Sequence, residues 1–257
     1  MVSSRNFVAG LSLVALIGFA LAALLAVRQP VEAQAAKGAL SAAERAEVES
    51  IVHDYILANP EIIPEAINNL QQREVARMID SNREDIETPF EGAWAGKEDA
   101  SVVLVEFFDY NCPYCRQSNA VVQKLLAKDE NLKVVWRDFP VLGPESRRAA
   151  MGALSAAKQD KYRSYHDRMF ADERRLSQEK LFDVIRKTGL NEVATANDLK
   201  RKALEDELDS NLALGRALGL GGTPAYVIGD QILEGAVGYE ALKTAIAEAR
   251  AEDAAAE

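Results

Sequence analysis

The chain has 257 residues, of which 48% are hydrophobic and 27% are charged. This apolar content is enough for a folded core, so a disordered chain and a low-complexity fibre are excluded for the bulk of the sequence. With 30 Lys and Arg against 40 Asp and Glu, the net charge is -10. A negative surface repels phosphate and no compact basic patch with interleaved aromatic residues is present, so we expect protein or small-molecule partners and no nucleic acid.

The amino terminus has the layout of an export signal. Arg5 precedes an uncharged run from Phe7 to Val27, and Ala33-Gln34-Ala35 supplies the small-x-small pattern that signal peptidases cut. The uncharged run is also long enough to cross a bilayer of about 30 Å. Residues 1–35 are therefore predicted to be a cleaved signal peptide or an N-terminal membrane anchor. Either alternative places the cysteines outside the cytoplasm, in the periplasm, where disulfides persist.

A helical segment with one apolar side is predicted from Ser41 to about Thr88. Ser41 with Glu44 has the pattern of a capping box, and Asn59-Pro60 separates two helices. Two such helices cannot enclose a core alone. Residues 36–88 are therefore interpreted as a stalk that packs on other copies of the chain, or as a lid on its own domain. The apolar residues at helical spacing are Val48, Ile51, Val52, Tyr55, Ile56, Ile63, Ala66, Ile67, Leu70, Val75, Met78 and Ile79.

After Pro89 the pattern is that of an α/β domain, predicted over residues 89–250. Residues 102–108 form a near-continuous apolar run, which is typical of a strand buried on both faces. A helix from Arg116 to Lys128 and a strand from Leu132 to Asp138 follow. This order predicts a β-α-β unit with parallel strands.

The second half of the domain is predicted to begin with a helical insertion over about residues 144–219, where strand signals are few. Glycines end the last helix of the insertion, and a hairpin and a closing helix follow. In order, these elements are the strand Ala225–Ile228, the turn Gly229-Asp230, the strand Gln231–Glu234, a helix from Tyr239 to about Ala249 and a frayed tail, residues 251–257.

Cys112 and Cys115 are the whole thiol content of the chain. A disulfide between them closes a loop too short to stabilise the fold, which favours a chemical role. Pro113 suits the first position of a helix, so Cys112 is predicted at the helix start, where unpaired N–H groups and the helix dipole favour its thiolate. Cys115 lies one turn further, close enough to form a reversible disulfide with Cys112.

Metal binding is the alternative role for this cysteine pair. Zinc requires four ligands, and His53 and His166 are not at ligand spacing, so a zinc site is disfavoured. Cuprous copper accepts two thiolates, and a copper site formed by Cys112 and Cys115 stays open. Both histidines are interpreted as ordinary helix residues, and no cofactor beyond the redox-active disulfide is predicted.

Glu106 is the only charged residue of the predicted strand 102–108. By alternation it shares a face with Leu104 and Phe108, so its carboxyl group is expected to be desolvated and its pKa raised. Such a group suits a proton acceptor for Cys115. The alternative is a strand-end glutamate paired with a lysine such as Lys124.

Two segments resemble the DsbA-like branch of the thioredoxin superfamily: residues 106–116, EFFDYNCPYCR, and residues 221–225, GGTPA. The resemblance covers about residues 89–250 and implies a thioredoxin fold with a helical insertion, with Pro113 and Tyr114 in the active-site loop. It implies that Pro224 is cis and lies beside the active disulfide, and that the backbone of Thr223 pairs with the substrate. Without the cysteine pair, Thr223-Pro224 would be read as an ordinary turn.

Residues 52–63 resemble the amino-terminal extension of ScsC-type proteins (suppressor of copper sensitivity C) and related DsbA-like isomerases. This resemblance implies that residues 41–87 form an oligomerisation stalk, often a trimeric one. Tyr114 stands where the DsbA oxidase has histidine, which removes one stabiliser of the thiolate. Threonine before the cis proline, here Thr223, is also more typical of isomerases.

Together these resemblances imply an exported thiol-disulfide isomerase or reductase that acts on unfolded or misfolded secreted proteins and has a membrane redox partner. Cys112 would attack the substrate disulfide, and Cys115 would resolve the mixed disulfide. The alternatives are a DsbA-like dithiol oxidase and a periplasmic copper-binding protein that uses the same cysteines.

Overall fold

The computed structural model of the chain describes residues 40–256, so the predicted signal peptide or membrane anchor, residues 1–35, lies outside the described residues. The chain divides into two compact units between Pro64 and Glu65. From residue 40 to residue 256, no helix combines the length and the apolarity that a membrane span requires.

The first unit contains helix α1 (Ala42–Ala58) and the first turn of helix α2 (Ile62–Glu87). The Ser41 hydroxyl accepts the Glu44 N–H and the Glu44 carboxylate accepts the Ser41 N–H, which confirms the predicted capping box. No residue of α1 is buried. The apolar side chains of this helix are therefore exposed to solvent in the single chain, among them Val48, Ile51, Val52 and Tyr55.

The second unit is built around a mixed sheet. Its strands are β1 (Trp94–Gly96), β2 (Val102–Phe108), β3 (Leu132–Asp138), β4 (Ala225–Ile228) and β5 (Gln231–Glu234). They form a five-stranded sheet in the order β1-β3-β2-β4-β5. As predicted, β2 and β3 are parallel and are joined by helix α3 (Pro113–Lys128). β4 pairs antiparallel with both β2 and β5, which confirms the predicted hairpin.

Strand β1 was absent from the sequence prediction. It has three residues and pairs antiparallel with the edge of β3, from Trp94 against Val135 to Gly96 against Lys133. Three residues are too few to display the alternation that identifies a strand in a sequence. Its formation depends on the unpaired edge of β3.

Five helices connect β3 to β4 and form the predicted helical insertion. They are α4 (Pro144–Ala157), α5 (Tyr162–Ala171), α6 (Gln178–Thr188), α7 (Glu192–Asp198) and α8 (Lys202–Ala217). The last helix, α9 (Gly238–Ala256), extends beyond the predicted end at Ala249. The prediction of a frayed tail from Ala251 is therefore wrong, since residues 251–256 are helical. Alanine, the best helix former, dominates this segment.

Side chains of β2 and β3 alternate between two faces of the sheet and contribute to two cores. One core holds Leu104, Phe108 and Trp136 against side chains of α3, α5 and α9. The other holds Val105, Phe107 and Val135 against side chains of α2 and α8. Burial on both faces explains why the sequence of β2 is a near-continuous apolar run.

The carboxyl-terminal part of α2 belongs to the second core. Ile79 and Ile86 are fully buried. Arg137 of β3, itself buried, donates hydrogen bonds to the main-chain oxygens of Asp85, Ile86 and Thr88. A cation at this position satisfies the free carbonyl groups of the helix end. The stalk is predicted to end at residue 88, but the compact unit that contains the sheet begins at Glu65.

We expect Ile86→Ala to lower the free energy of unfolding of the second unit by about 2–5 kcal/mol, because the substitution leaves a cavity in a packed core. Urea unfolding of the purified chain measures this effect. Val193→Ala in α7, where 73% of the residue is exposed, is the control and should change stability by less than about 0.5 kcal/mol. Equal effects of the two substitutions would contradict the assignment of Ile86 to a core.

Candidate active site

Cys112 lies where β2 leads into α3. It is the N-cap residue of this helix and Pro113 occupies the first turn, as predicted. The Cys112 N–H donates to the carbonyl oxygen of Asp109 at 3.0 Å, and the Cys112 carbonyl accepts the Arg116 N–H at 3.2 Å. The thiol has no side-chain role in capping. Cys112 thus stands at the start of α3, where the N–H groups of the first helical turn have no partner within the helix.

The loop before β4 lies against this thiol. The Thr223-Pro224 peptide bond is cis, which confirms the expectation for Pro224. The Cys112 thiol donates to the Thr223 carbonyl oxygen at 3.2 Å. Antiparallel pairing of β4 with β2, with Ala225 opposite Phe107, brings these distant segments together. The structure thus unites the cysteine pair with Thr223 and Pro224.

The two thiols are unequal in access. Both cysteines are free thiols, and Cys115 is fully buried. Burial raises the pKa of the Cys115 thiol, the main-chain N–H of Asp109 opposes this rise, and the charge of Glu106 adds to it. Cys112 is 5% exposed, and the next residue but one, Tyr114, exposes 60% of its surface. Of the two sulfurs, Cys112 therefore lies nearer the surface.

Glu106 lies behind Cys115, on the face of β2 shared with Leu104 and Phe108, as the alternation predicts. Tyr226 of β4 donates to Oε1 of Glu106 at 3.5 Å, and within residues 40–256 the other carboxyl oxygen has no hydrogen-bond partner. Burial raises the pKa of Glu106 to about 8, although Trp136 and Tyr226 oppose the rise. Such a carboxyl group can exchange a proton near neutral pH.

The alternative ion pair between Glu106 and Lys124 is wrong. The Lys124 ammonium lies over the ring of Tyr239, 4.1 Å from its centroid. Glu106 is buried in the core, whereas Lys124 of α3 contacts Tyr239 of α9. The carboxyl group is therefore buried without a cation, which is the cause of its raised pKa.

His166 lies in helix α5, in agreement with its interpretation as a helix residue, and it is also a core residue. It is fully buried, and its ring packs on Trp136 at a centroid distance of 4.7 Å. Its Nδ1 lies 3.3 Å from the hydroxyl of Tyr110. Burial lowers the pKa of His166 to about 3, so the ring is neutral. The flanking charged residues concealed this burial, because they lie on the other side of α5.

Sequence reasoning also missed Asp109, a buried carboxylate three residues before Cys112. Its Oδ1 accepts the Asn111 N–H at 2.7 Å, and its Oδ2 accepts the Leu142 N–H at 2.9 Å. An aspartate two residues before a turn amide is the sequence signal of an Asx turn and could have identified it. Its second contact, to the loop before α4, depends on the tertiary structure.

The site offers little to a metal ion beyond the two thiols. In the part of the chain that the structure describes, no group of three or more His, Cys, Asp or Glu residues could hold a metal. His166 is buried among aromatic rings, and His53 belongs to α1, in the first unit. Only two-coordinate binding by Cys112 and Cys115 remains compatible with this geometry.

Two family models match the chain. The model of the DSBA-like thioredoxin domain matches residues 103–247, which is more than half of the chain. The model described as the copper resistance protein ScsC N-terminal domain matches residues 44–77. The second match covers α1 and the first part of α2.

Solved structures with similar folds include a linker-deleted mutant of Proteus mirabilis ScsC. It is 32% identical, with a TM-score of 0.64, and the match covers 84% of this chain and 100% of that chain. The thiol-disulfide exchange protein α-DsbA2 from Wolbachia pipientis is 28% identical, with a TM-score of 0.65, and the match covers 70% of this chain and 97% of that chain.

Among curated proteins, the Na⁺/H⁺ antiporter NhaA 3 from Salinispora tropica is 28% identical over 162 residues, which is 59% of this chain and 24% of the antiporter. The chain therefore spans about a quarter of the length of this relative.

We expect Glu106→Gln to change how stability depends on pH. In the reduced wild-type chain the native carboxyl group holds an extra proton between pH 4.5 and about 8, so the free energy of unfolding falls as pH rises through this window. Glutamine removes this contribution, and the variant should gain stability relative to wild type by an amount on the order of a few kcal/mol at the upper end of the window.

Urea unfolding of both proteins at several pH values measures this difference. Glu130→Gln, at an exposed position, is the control and should keep the wild-type slope. A constant difference between Glu106→Gln and wild type at all pH values would contradict the buried, protonated state of Glu106.

Proposed function

Because the chain belongs to the DSBA-like thioredoxin domain family, and within it to the ScsC-type proteins, we propose that it is an exported thiol-disulfide isomerase or reductase for secreted proteins. Its DsbA-like domain is that of a thiol-disulfide oxidoreductase. The observation that carries the proposal is the contact of the Cys112 thiol, at the start of α3, with the carbonyl oxygen of Thr223.

The first step of the reaction is carried by Cys112. Its thiolate attacks a sulfur of the substrate disulfide, one substrate thiolate leaves, and a mixed disulfide between Cys112 and the substrate forms. The cis Thr223-Pro224 segment presents main-chain groups beside this sulfur, where an extended substrate strand can pair with them.

Two outcomes are available to the mixed disulfide. If another substrate thiolate attacks the substrate sulfur, a new substrate disulfide forms, the Cys112 thiolate leaves, and no net oxidation occurs. If Cys115 attacks the Cys112 sulfur, the Cys112–Cys115 disulfide forms, the bond between Cys112 and the substrate breaks, and the substrate leaves as a thiolate, its disulfide reduced by two electrons. In this second case the ionised fraction of Glu106 accepts the proton that Cys115 gives up, since a pKa of about 8 allows proton exchange near neutrality.

The burial of Cys115 supports isomerisation over rapid reduction. Burial raises the pKa of this thiol, so its thiolate is scarce and resolution is slow. A slow resolving step gives the substrate time to rearrange. Two residues also support isomerisation: Tyr114, between the cysteines, and Thr223, before the cis proline. Both depart from the pattern of the DsbA oxidase.

The proposed location and partners follow from the resemblance and from the first unit. We place the chain in the periplasm, with unfolded or misfolded secreted proteins as substrates and a membrane protein as redox partner. The exposed apolar side of α1 supports self-association, because 61% of Ile51 and 59% of Tyr55 are open to solvent in the single chain. Association would place several active sites around one substrate.

We expect Cys115→Ala to accumulate mixed disulfides with substrate proteins, because the resolving thiol is missing while Cys112 still attacks. Non-reducing gels of the exported variant, followed by mass spectrometry, detect the trapped species. Cys112→Ala is the control and should trap nothing. If Cys115→Ala traps no protein but loses affinity for cuprous ion, the copper-binding alternative is correct.

We expect the double substitution Ile51→Asp and Tyr55→Asp to dissociate the oligomer and to reduce isomerase activity, because two charges are placed on the apolar side of α1. Light scattering gives the mass, and recovery of activity by a scrambled-disulfide protein gives the isomerase rate. The matched control is Ala46→Asp with Ser50→Asp, which has the same spacing on the opposite side of α1. A monomeric variant with full isomerase activity would remove association from the mechanism.

A further inference from the structure

Asp109 is a buried carboxylate in the turn between β2 and the cysteines. The residue is 2% exposed. Its Oδ1 accepts the N–H of Asn111, within this turn, at 2.7 Å. Its Oδ2 accepts the N–H of Leu142, in the loop between β3 and α4, at 2.9 Å. One side chain therefore joins the turn before Cys112 to a second loop of the domain.

The main chain of Asp109 holds the attacking cysteine. Its carbonyl oxygen accepts the N–H of Cys112 at 3.0 Å. A rotation of the peptide group after Asp109 would therefore move this acceptor away and shift the residue that carries the attacking sulfur.

A buried carboxylate needs a reason to be there, because removing it from water is costly. Burial raises the pKa of Asp109, and the N–H groups of Asn111 and Leu142 offset this cost in part. An apolar residue could fill the same volume, but it could not hold the two N–H groups. Asp109 is therefore suited to fixing the backbone that surrounds the sulfurs.

We propose that Asp109 is a positioning residue for the resolving step: its carboxylate fixes the turn that precedes Cys112 and so holds the Cys112 sulfur in place while the Cys115 thiolate attacks it. The inference rests on the proposed thiol-disulfide exchange. In that step Cys115 gives up its proton, the new bond forms between the two cysteine sulfurs, and the substrate thiolate leaves and takes up a proton.

Glutathione disulfide is the probe for this step. The reduced full-length chain is mixed with an excess of glutathione disulfide, samples are quenched with acid, and mass spectrometry follows the Cys112–glutathione mixed disulfide over time. Its formation reports attack by Cys112, and its decay reports resolution by Cys115. The same samples give the midpoint of thermal unfolding, which reports any loss of stability.

We expect Asp109→Ala to lengthen the lifetime of the mixed disulfide about tenfold or more, because the turn before Cys112 loses both hydrogen bonds to the carboxylate, and one hydrogen bond to a charged group accounts for about a tenfold change. Asp109→Asn keeps an acceptor oxygen for the Asn111 N–H and should restore a lifetime close to that of wild type. Asp109→Glu keeps both carboxylate oxygens but displaces them by one methylene, so it should also lengthen the lifetime of the mixed disulfide. This variant replaces Asp109→Ala in the test if the alanine variant does not fold.

The matched control is Asp129→Ala. Asp129 forms the same kind of turn, because its Oδ1 accepts the Asn131 N–H at 3.1 Å, but it lies between α3 and β3. This variant should lose thermal stability and keep the wild-type lifetime. If Asp129→Ala lengthens the lifetime as much as Asp109→Ala does, the effect is general destabilisation and the proposal is wrong.

Two further outcomes separate this inference from the proposed function. If the wild-type chain resolves the mixed disulfide and Asp109→Ala or Asp109→Glu resolves it equally fast, the inference fails while the proposed function stands. If the wild-type chain forms no mixed disulfide with glutathione disulfide, the proposed function and the inference fail together.

Discussion

The contact between the Cys112 sulfur and the Thr223 carbonyl oxygen, at 3.2 Å, joins two segments that are 111 residues apart in the chain. It exists because β4 pairs antiparallel with β2, so the loop before β4 lies beside the turn that follows β2. The positions of Cys112, of the cis proline and of the Thr223 main chain therefore depend on one strand pairing.

Burial separates the roles of the titratable groups around this contact. Cys115 and Glu106 lie under the helix start, where the absence of water raises the pKa of both. Cys112 is the N-cap residue of α3, and its thiol contacts the Thr223 carbonyl oxygen. In the proposed mechanism Cys112 meets the substrate, and Cys115 acts only after a mixed disulfide has formed.

Helix α2 has two different environments along its length. Its carboxyl-terminal part is core, since Ile79 and Ile86 are fully buried and Arg137 holds the last carbonyl groups. Towards its start, Ile63 and Ile67 are exposed, as is the apolar side of α1. Removing all residues before Thr88 would therefore destroy part of the catalytic domain's core, and substitutions on α1 are the cleaner test of association.

The sequence by itself determined β2, β3, the hairpin, the start of α3 at Cys112 and the burial of Glu106, because each depends on local periodicity, capping or alternation. Only the tertiary structure decided the three-residue strand β1, the burial of His166 among aromatic rings, and the place of Ile86 in the domain core. The double contact of Asp109 belongs to the same group. These features arise from partners far away in the chain, and the periodicity of a segment carries no information about which distant surface will cover it.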